Sequence, residues 1–339
     1  MTAKKKIIKL GKNIIILIVS IILILLVTEI VIRVIVGPYS TQDGNCIASK
    51  KFSQKYYRYQ KDALRQDKEF STAKDKNVFR ILVLGDSFTF GQGLKSISDT
   101  YPKILENKLN SMKSDTRYEV INAGQMALET VDELNFLKAK GLAYQPDIII
   151  LGYVYNDAIP DPAPDSSGMN ISLFRQIHGK IYSNSYLLCV SQINKILSLE
   201  YIKDSFTQKE YNDEVNNILY WYSGENLKKH RQDLEELIGI AHNNGTPIVI
   251  MMFPFTLDVN NRQDYQFKQV HSILKDIAEN KSAYFIDLYT EFSKAPIELS
   301  LRVNKQDNHP NELAHKIAAK TLFNFLVREK LVQISAIDY

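Results

Sequence analysis

Five largely apolar runs constrain what this 339-residue chain can fold into more than any other feature. They are Phe79 to Leu84, Tyr118 to Ile121, Asp147 to Leu151, Pro247 to Met252 and Ala283 to Ile286. A strand that is apolar without alternation has no face to give to water. A sheet of such strands is buried on both sides and therefore parallel. Between the runs lie stretches of helical period. Tyr101, Ile104, Leu105 and Leu109 share one face over 99–111, and Val131, Leu134 and Leu137 share one over 130–140. Leu227, Leu234, Leu237, Ile238 and Ala241 do the same over 226–242, and 270–279 and 311–328 complete the set. Alternating strands and helices predict a three-layer α/β/α domain with a central parallel five-stranded sheet.

The chain begins differently. Residues 14–36 read IIILIVSIILILLVTEIVIRVIV, and 23 residues of helix rise about 35 Å, enough to cross a bilayer. Glu29 and Arg33 stand one turn apart and are expected to pair or to snorkel toward the interface. No small-x-small cleavage site follows the apolar block, so an uncleaved anchor is expected rather than a cleaved signal. Lys4, Lys5, Lys6, Lys9 and Lys12 precede the first acidic residue. Such a basic leader (1–13) stays cytoplasmic, which puts everything after the transmembrane helix outside. The lipid bilayer is thus a partner through residues 14–36.

Charge and cysteine usage narrow the function. The formal net charge is +4, and without the five leader lysines the remainder is near −1. The folded part has no basic bias, and no nucleic-acid partner is expected. Cys46 and Cys189 make neither a metal spacing nor a disulfide framework, and whether they pair is left open. His178, His230, His242, His271 and His315 have no ligand spacing, so no metal and no cofactor are expected. Gly91-Gln92-Gly93 lacks the lysine and spacing of a phosphate loop.

Residues 37–77 are polar without a sustained period and read as a stalk or surface extension. The domain spans 78–330, a tail follows over 331–339, and 158–225 interrupt the alternation with Pro160, Pro162 and Pro164. That interruption is expected to be a cap that shapes the substrate site.

Four short motifs follow strand ends or precede the last helix: Gly85-Asp86-Ser87, Asn122-Ala123-Gly124, Gly152 to Asp157, and Asp307-Asn308-His309-Pro310 in a short loop. In an open α/β sheet these positions meet at one edge, where ligands bind. Serine, histidine and a carboxylate are the parts of an activated nucleophile. In order and spacing the set resembles the SGNH (GDSL-type) hydrolase family, over roughly residues 78–328. The resemblance implies a flavodoxin-like SGNH hydrolase fold. It also implies Ser87 as nucleophile, His309 as general base and Asp307 as the orienting acid. The oxyanion hole would comprise the Ser87 and Gly124 backbone N–H groups and the Asn156 amide. Glycine at 124 would let a backbone donor approach substrate with no Cβ in the way.

The family pattern puts the acid three residues before the histidine. Here Gln306 holds that place and Asp307 lies two before His309. Asp287, at a strand end, competes for the acid's role, and a backbone carbonyl could hold the ring instead. Asp86 and Asp157 read as local anchors. The expected function is a membrane-anchored, extracytoplasmic serine esterase. It would remove O-acyl groups, acetyl foremost, from a cell-envelope glycan or another small ester through an acyl-Ser87 intermediate. An O-acyltransferase using the same intermediate is the alternative, and a non-catalytic binding module on the same fold is a third reading.

Overall fold

The computed structural model describes residues 3–35, 37–40, 47–112, 114–160, 212–213, 215–256, 259, 265–296, 299–304 and 307–333. The expected cap therefore falls mostly outside the described residues, as do Cys46, Cys189 and Gln306. The chain divides into two compact units. The unit of Met1–Tyr39, Asp43–Phe52 and Asp165–Phe206 contains helix α1 (Ala3–Ile35). Within it, Lys9–Thr28 is long and apolar enough to cross a membrane, and none of that window is buried. Length and composition suit a membrane span and a signal sequence alike.

The other unit is Ser40–Gln42, Ser53–Pro164 and Thr207–Tyr339. Its centre is a five-stranded sheet: β1 (Val78–Gly85), β2 (Arg117–Asn122), β3 (Ile148–Tyr153), β4 (Ile248–Met252) and β5 (Tyr284–Asp287). The order is β2-β1-β3-β4-β5 and every pair is parallel. β1 pairs with both neighbours, Ile81 with Val120 on one side and Ile148 on the other. Ile81, Leu82, Val83 and Leu84 are all buried, as a strand covered on both faces requires.

After α2 (Ile47–Tyr56) and the short α3 (Ser87–Phe90), the flanking helices are α4 (Tyr101–Asn110), α5 (Thr130–Ala139), α6 (Gly224–Asn243), α7 (Lys268–Asn280), α8 (Tyr289–Phe292) and α9 (Glu312–Arg328). α4 packs on α9, and α5 on α6. Right-handed crossovers put the first pair on one face of the sheet and the second on the other. Tyr101, Leu105 and Leu109 fall at four-residue intervals and are fully buried, about 2 kcal/mol of burial each. His315 of α9 ties the pair together: its Nδ1 accepts the Tyr101 N–H at 3.1 Å. Burial lowers His315 to about 3, so the ring is a neutral acceptor.

Two stretches differ from the sequence reading. Leu64, Arg65 and Gln66, in the stretch read as a stalk or surface extension, are buried. The last part of the presumed cap belongs to the core: 215–221 is helical, and Val215, Ile218 and Tyr222 pack in the main apolar cluster. The Tyr222 hydroxyl shares a hydrogen bond of 2.6 Å with Tyr153, which in turn reaches His230 Nε2 at 2.6 Å.

Candidate active site

β1 ends at Gly85, and Asp86 caps the next turn, its Oδ1 accepting the Phe88 N–H at 2.8 Å. The cap forces an abrupt change of direction, so Ser87 starts α3 at the carboxyl edge of the sheet. Below α3 lies a floor of three glycines at the ends of β1, β2 and β3. A Cβ on Gly85 would meet Thr89 Cβ at 2.7 Å and the Gly152 carbonyl at 2.9 Å. On Gly124 it would meet the Thr89 carbonyl carbon at 2.7 Å and the Phe90 nitrogen closer still. On Gly152 it would strike the Thr89 and Tyr101 hydroxyls, which bond each other at 2.8 Å. Gly124 is therefore required by the seat of the nucleophile turn itself. This packing requirement stands beside the approach of substrate that the sequence suggests for the same glycine.

The fourth motif is a strand, where a loop was expected. β6 (Arg302–Asn304) and β7 (Asp307–Pro310) form an antiparallel hairpin with Asn304 opposite Asp307. In extended chain, residues i and i+2 point the same way. That is why an acid two places before the histidine reaches it: Asp307 and His309 are buried on one side while Asn308 is half-exposed. Asp307 Oδ1 lies 2.5 Å from His309 Nδ1 and accepts the His309 N–H at 3.1 Å. His309 Nε2 lies 2.9 Å from Ser87 Oγ, across 222 residues of sequence. α9 begins immediately after, capped by Asn311, whose Oδ1 accepts the Leu313 and Ala314 N–H groups. Phe88 stands edge-on to the imidazole, with ring centroids 5.5 Å apart.

Two of the expected oxyanion donors are engaged within the protein. The Gly124 N–H donates to Asn122 Oδ1 at 3.0 Å, and Asn156 Nδ2 to Asp86 Oδ2 at 3.2 Å. Asp86 is more than a turn anchor, because the same Oδ2 lies 3.2 Å from Ser87 Oγ. The hydroxyl proton thus has two acceptors within reach, the imidazole being nearer. Burial raises the Asp86 carboxyl, against the opposing pull of the Phe88 N–H, His309, Asn156 and Ser87. Asp287 does not enter this chain. Its Oδ1 pairs with His271 Nδ1 at 2.8 Å, and His271 Nε2 lies 2.9 Å from the Tyr265 hydroxyl.

Other groups near the site carried no sequence signal. Arg65 is buried and donates to the carbonyls of Phe90 (3.1 Å), Gly91 (2.5 Å) and Leu94 (2.7 Å). Its guanidinium also lies over the rings of Tyr57 and Phe90. Burial brings it down to about 10, so it keeps its charge at neutral pH. The Tyr57 hydroxyl accepts the Gly93 N–H at 2.7 Å. Glu133 and Asp157 are buried carboxyls held well above the usual range, first by burial and then by neighbouring charge, that of Asp86 and Asp132 on Glu133 and that of Glu133 and Asp86 on Asp157. Asp157 Oδ2 accepts the Val154 N–H at 2.8 Å, the local anchoring expected of it. Among the described residues no cluster of His, Cys, Asp and Glu would hold a metal ion.

Residues 83–317 match the model of the GDSL-like lipase/acylhydrolase family, well over half of the chain. The chain belongs to that family. Membership makes it an enzyme of the ester hydrolase class, and an O-acyltransferase using the same acyl-serine intermediate is equally compatible with the match. Comparison with curated sequences gave no match. Among solved structures, a catalytic mutant of an acetylxylan esterase from Geobacillus stearothermophilus is 16% identical, with 77% of this chain and 97% of that one covered at a TM-score of 0.47. A lipase/acylhydrolase from Enterococcus faecalis is 14% identical, with coverage of 77% and 100% and a TM-score of 0.45.

Proposed function

We propose that this chain is a membrane-anchored serine esterase whose catalytic domain lies outside the cytoplasm and removes acetyl groups from an envelope glycan or a related small ester. One observation carries the chemistry: the unbroken hydrogen-bonded chain from Ser87 through His309 to Asp307. With its Nδ1 proton held by Asp307, the imidazole presents the Nε2 lone pair to the serine hydroxyl. Ser87 Oγ attacks the ester carbonyl as its proton passes to Nε2. Collapse of the tetrahedral intermediate breaks the bond to the alcohol, which leaves with that proton. Water then attacks the acyl-Ser87 ester, gives its proton to the same nitrogen and releases the carboxylic acid as the serine is restored.

During both steps the Ser87 N–H, the Gly124 N–H and the Asn156 amide would face the oxyanion. For Gly124 and Asn156 this means exchanging their partners Asn122 and Asp86 for substrate. Losing one oxyanion donor typically costs about 3–4 kcal/mol of transition-state stabilisation. The anchor and the compartment rest on the apolar helix and its lysine leader. The glycan follows from the compartment.

The experiment uses the full chain in detergent. It should hydrolyse p-nitrophenyl acetate and be labelled by a fluorophosphonate, and Ser87→Ala should lose both. Turnover and labelling undiminished in Ser87→Ala would refute the nucleophile. Protease digestion of the domain in right-side-out vesicles tests the topology; protection there would place the domain on the other side. An acetylated oligosaccharide releasing no acetate would remove the glycan while leaving the esterase.

A further inference from the structure

Asp307 is fully buried, and a buried carboxylate needs donors on both oxygens. His309 occupies Oδ1 twice, through Nδ1 and its backbone N–H. Oδ2 takes its hydrogen bond from Ser40, whose hydroxyl donates to it at 2.5 Å. Ser40 comes from the far end of the chain, 267 residues away, and is itself buried. It lies ahead of the matched region 83–317, so no family motif contains it. Its carbonyl is fixed by Asn304 Nδ2 at 2.9 Å. Asn304 faces Asp307 across the β6–β7 hairpin. The hairpin thus holds the serine at two points, one of them the carboxylate itself.

The other titratable groups around Asp307 are His309 on its own strand and Tyr57, whose hydroxyl feels its charge and lies beside Arg65. Burial alone would raise the Asp307 carboxyl. The hydrogen bond and charge of His309 and the hydroxyl of Ser40 outweigh burial and hold it below the usual range.

We infer that Ser40 is a positioning residue of the esterase, its hydroxyl fixing the Asp307 carboxylate so that Oδ1 stays on the imidazole. The inference rests on Asp307 acting as the orienting acid. Without the hydroxyl, buried Oδ2 loses the donor that the described residues give it. The carboxylate then turns to share that oxygen with the ring, or takes up a proton. Both outcomes loosen its hold on Nδ1 and slow the transfer of the Ser87 proton. One hydrogen bond to a charged group corresponds to about tenfold in rate.

The test compares Ser40→Ala, Ser40→Val and Ser40→Thr in the full chain, with p-nitrophenyl acetate as substrate and a fluorophosphonate as label. Val and Thr have nearly the same shape, and only Thr carries the hydroxyl. The Ala and Val variants should lose about tenfold in kcat and in labelling rate, with KM within about twofold, and Thr should recover most of the loss. Ala within twofold of the parent, Thr as slow as Val, or a loss confined to KM would each overturn the inference. Asp307→Ala is measured alongside. If it keeps full activity, the assignment of the acid fails. If it is slow while Ser40→Ala is not, only the role of Ser40 fails.

Discussion

Replacing Gly124 with alanine should misplace the nucleophile without removing any group that does chemistry. The added methyl would sit 2.7 Å from the Thr89 carbonyl carbon and 2.7 Å from Thr89 Cβ. Carbon atoms in good contact stand about 3.5–4.0 Å apart, so α3 must retreat by about 1 Å. The obstacle is backbone, which cannot turn aside as a side chain end can. Overpacking of this kind costs about 1–3 kcal/mol of stability. Ser87 rides on the same turn, and its hydroxyl now lies 2.9 Å from His309 Nε2. A shift near 1 Å takes that pair out of proton-transfer reach, a loss on the order of 100-fold. The Gly124 N–H survives the substitution, so the loss cannot be charged to a missing oxyanion donor. The assay is kcat on p-nitrophenyl acetate beside thermal unfolding. Gly152→Ala is the comparison, because its methyl meets the hydroxyls of the Thr89 and Tyr101 side chains first, where that of Gly124→Ala meets backbone. Its loss should be the smaller one. A Gly124→Ala protein as stable as the parent and within threefold of its rate would refute the argument.

Asn156→Ala should lower kcat by about 10²–10³ with little change in KM, as expected of a donor used in the transition state. A rise in KM at constant kcat would make Asn156 a binding residue instead. Gly239→Ala, in the body of α6 with open space around the added methyl, should raise stability by about 0.5–1 kcal/mol and leave the rate unchanged. A lowered unfolding midpoint would count against this. Glu133→Gln should stabilise the protein at pH 8 by about 1 kcal/mol. Burial raises the Glu133 carboxyl, so the folded form keeps a proton that the unfolded chain gives up above about pH 4.3. Its contribution is therefore whole below that pH and is lost as pH rises toward the folded value. The amide of the Glu133→Gln protein does not titrate and carries no such slope, leaving the parts due to Asp86 and Asp157. Parallel stability profiles for the two proteins between pH 5 and 8 would exclude this.

Local pattern in the sequence revealed the scaffold and the two reacting groups, while distant polar contacts stayed hidden. The runs at Phe79 to Leu84 and Asp147 to Leu151 were legible as buried strands because every position needed cover. Ser87 and His309 were legible because each stands at a boundary between elements. The spacing of Asp307 looked irregular only while 307–310 was read as a loop; as a strand, a two-residue offset is the one that aligns acid and ring. Arg65, Tyr57 and Ser40 sit in a polar stretch without period. Their burial depends on partners far along the chain, and no local rule announces such partners. Tyr222 was assigned to the cap for the complementary reason: prolines and mixed polarity upstream set its helix-like stretch apart from the core pattern, although it packs in the core.

The clamp formed by Arg65 and Tyr57 sets a practical limit on how small a working version of this enzyme can be. A fragment cut to the span that the family shares would retain every recognisable motif. It would still lack the guanidinium that ties down the carbonyls of Phe90, Gly91 and Leu94, and the phenol that receives the Gly93 N–H. Those groups would be exposed at the rim of the catalytic turn, with water as a poor substitute for a fixed charge. The smallest competent unit of this chain thus starts dozens of residues upstream of its signature sequence.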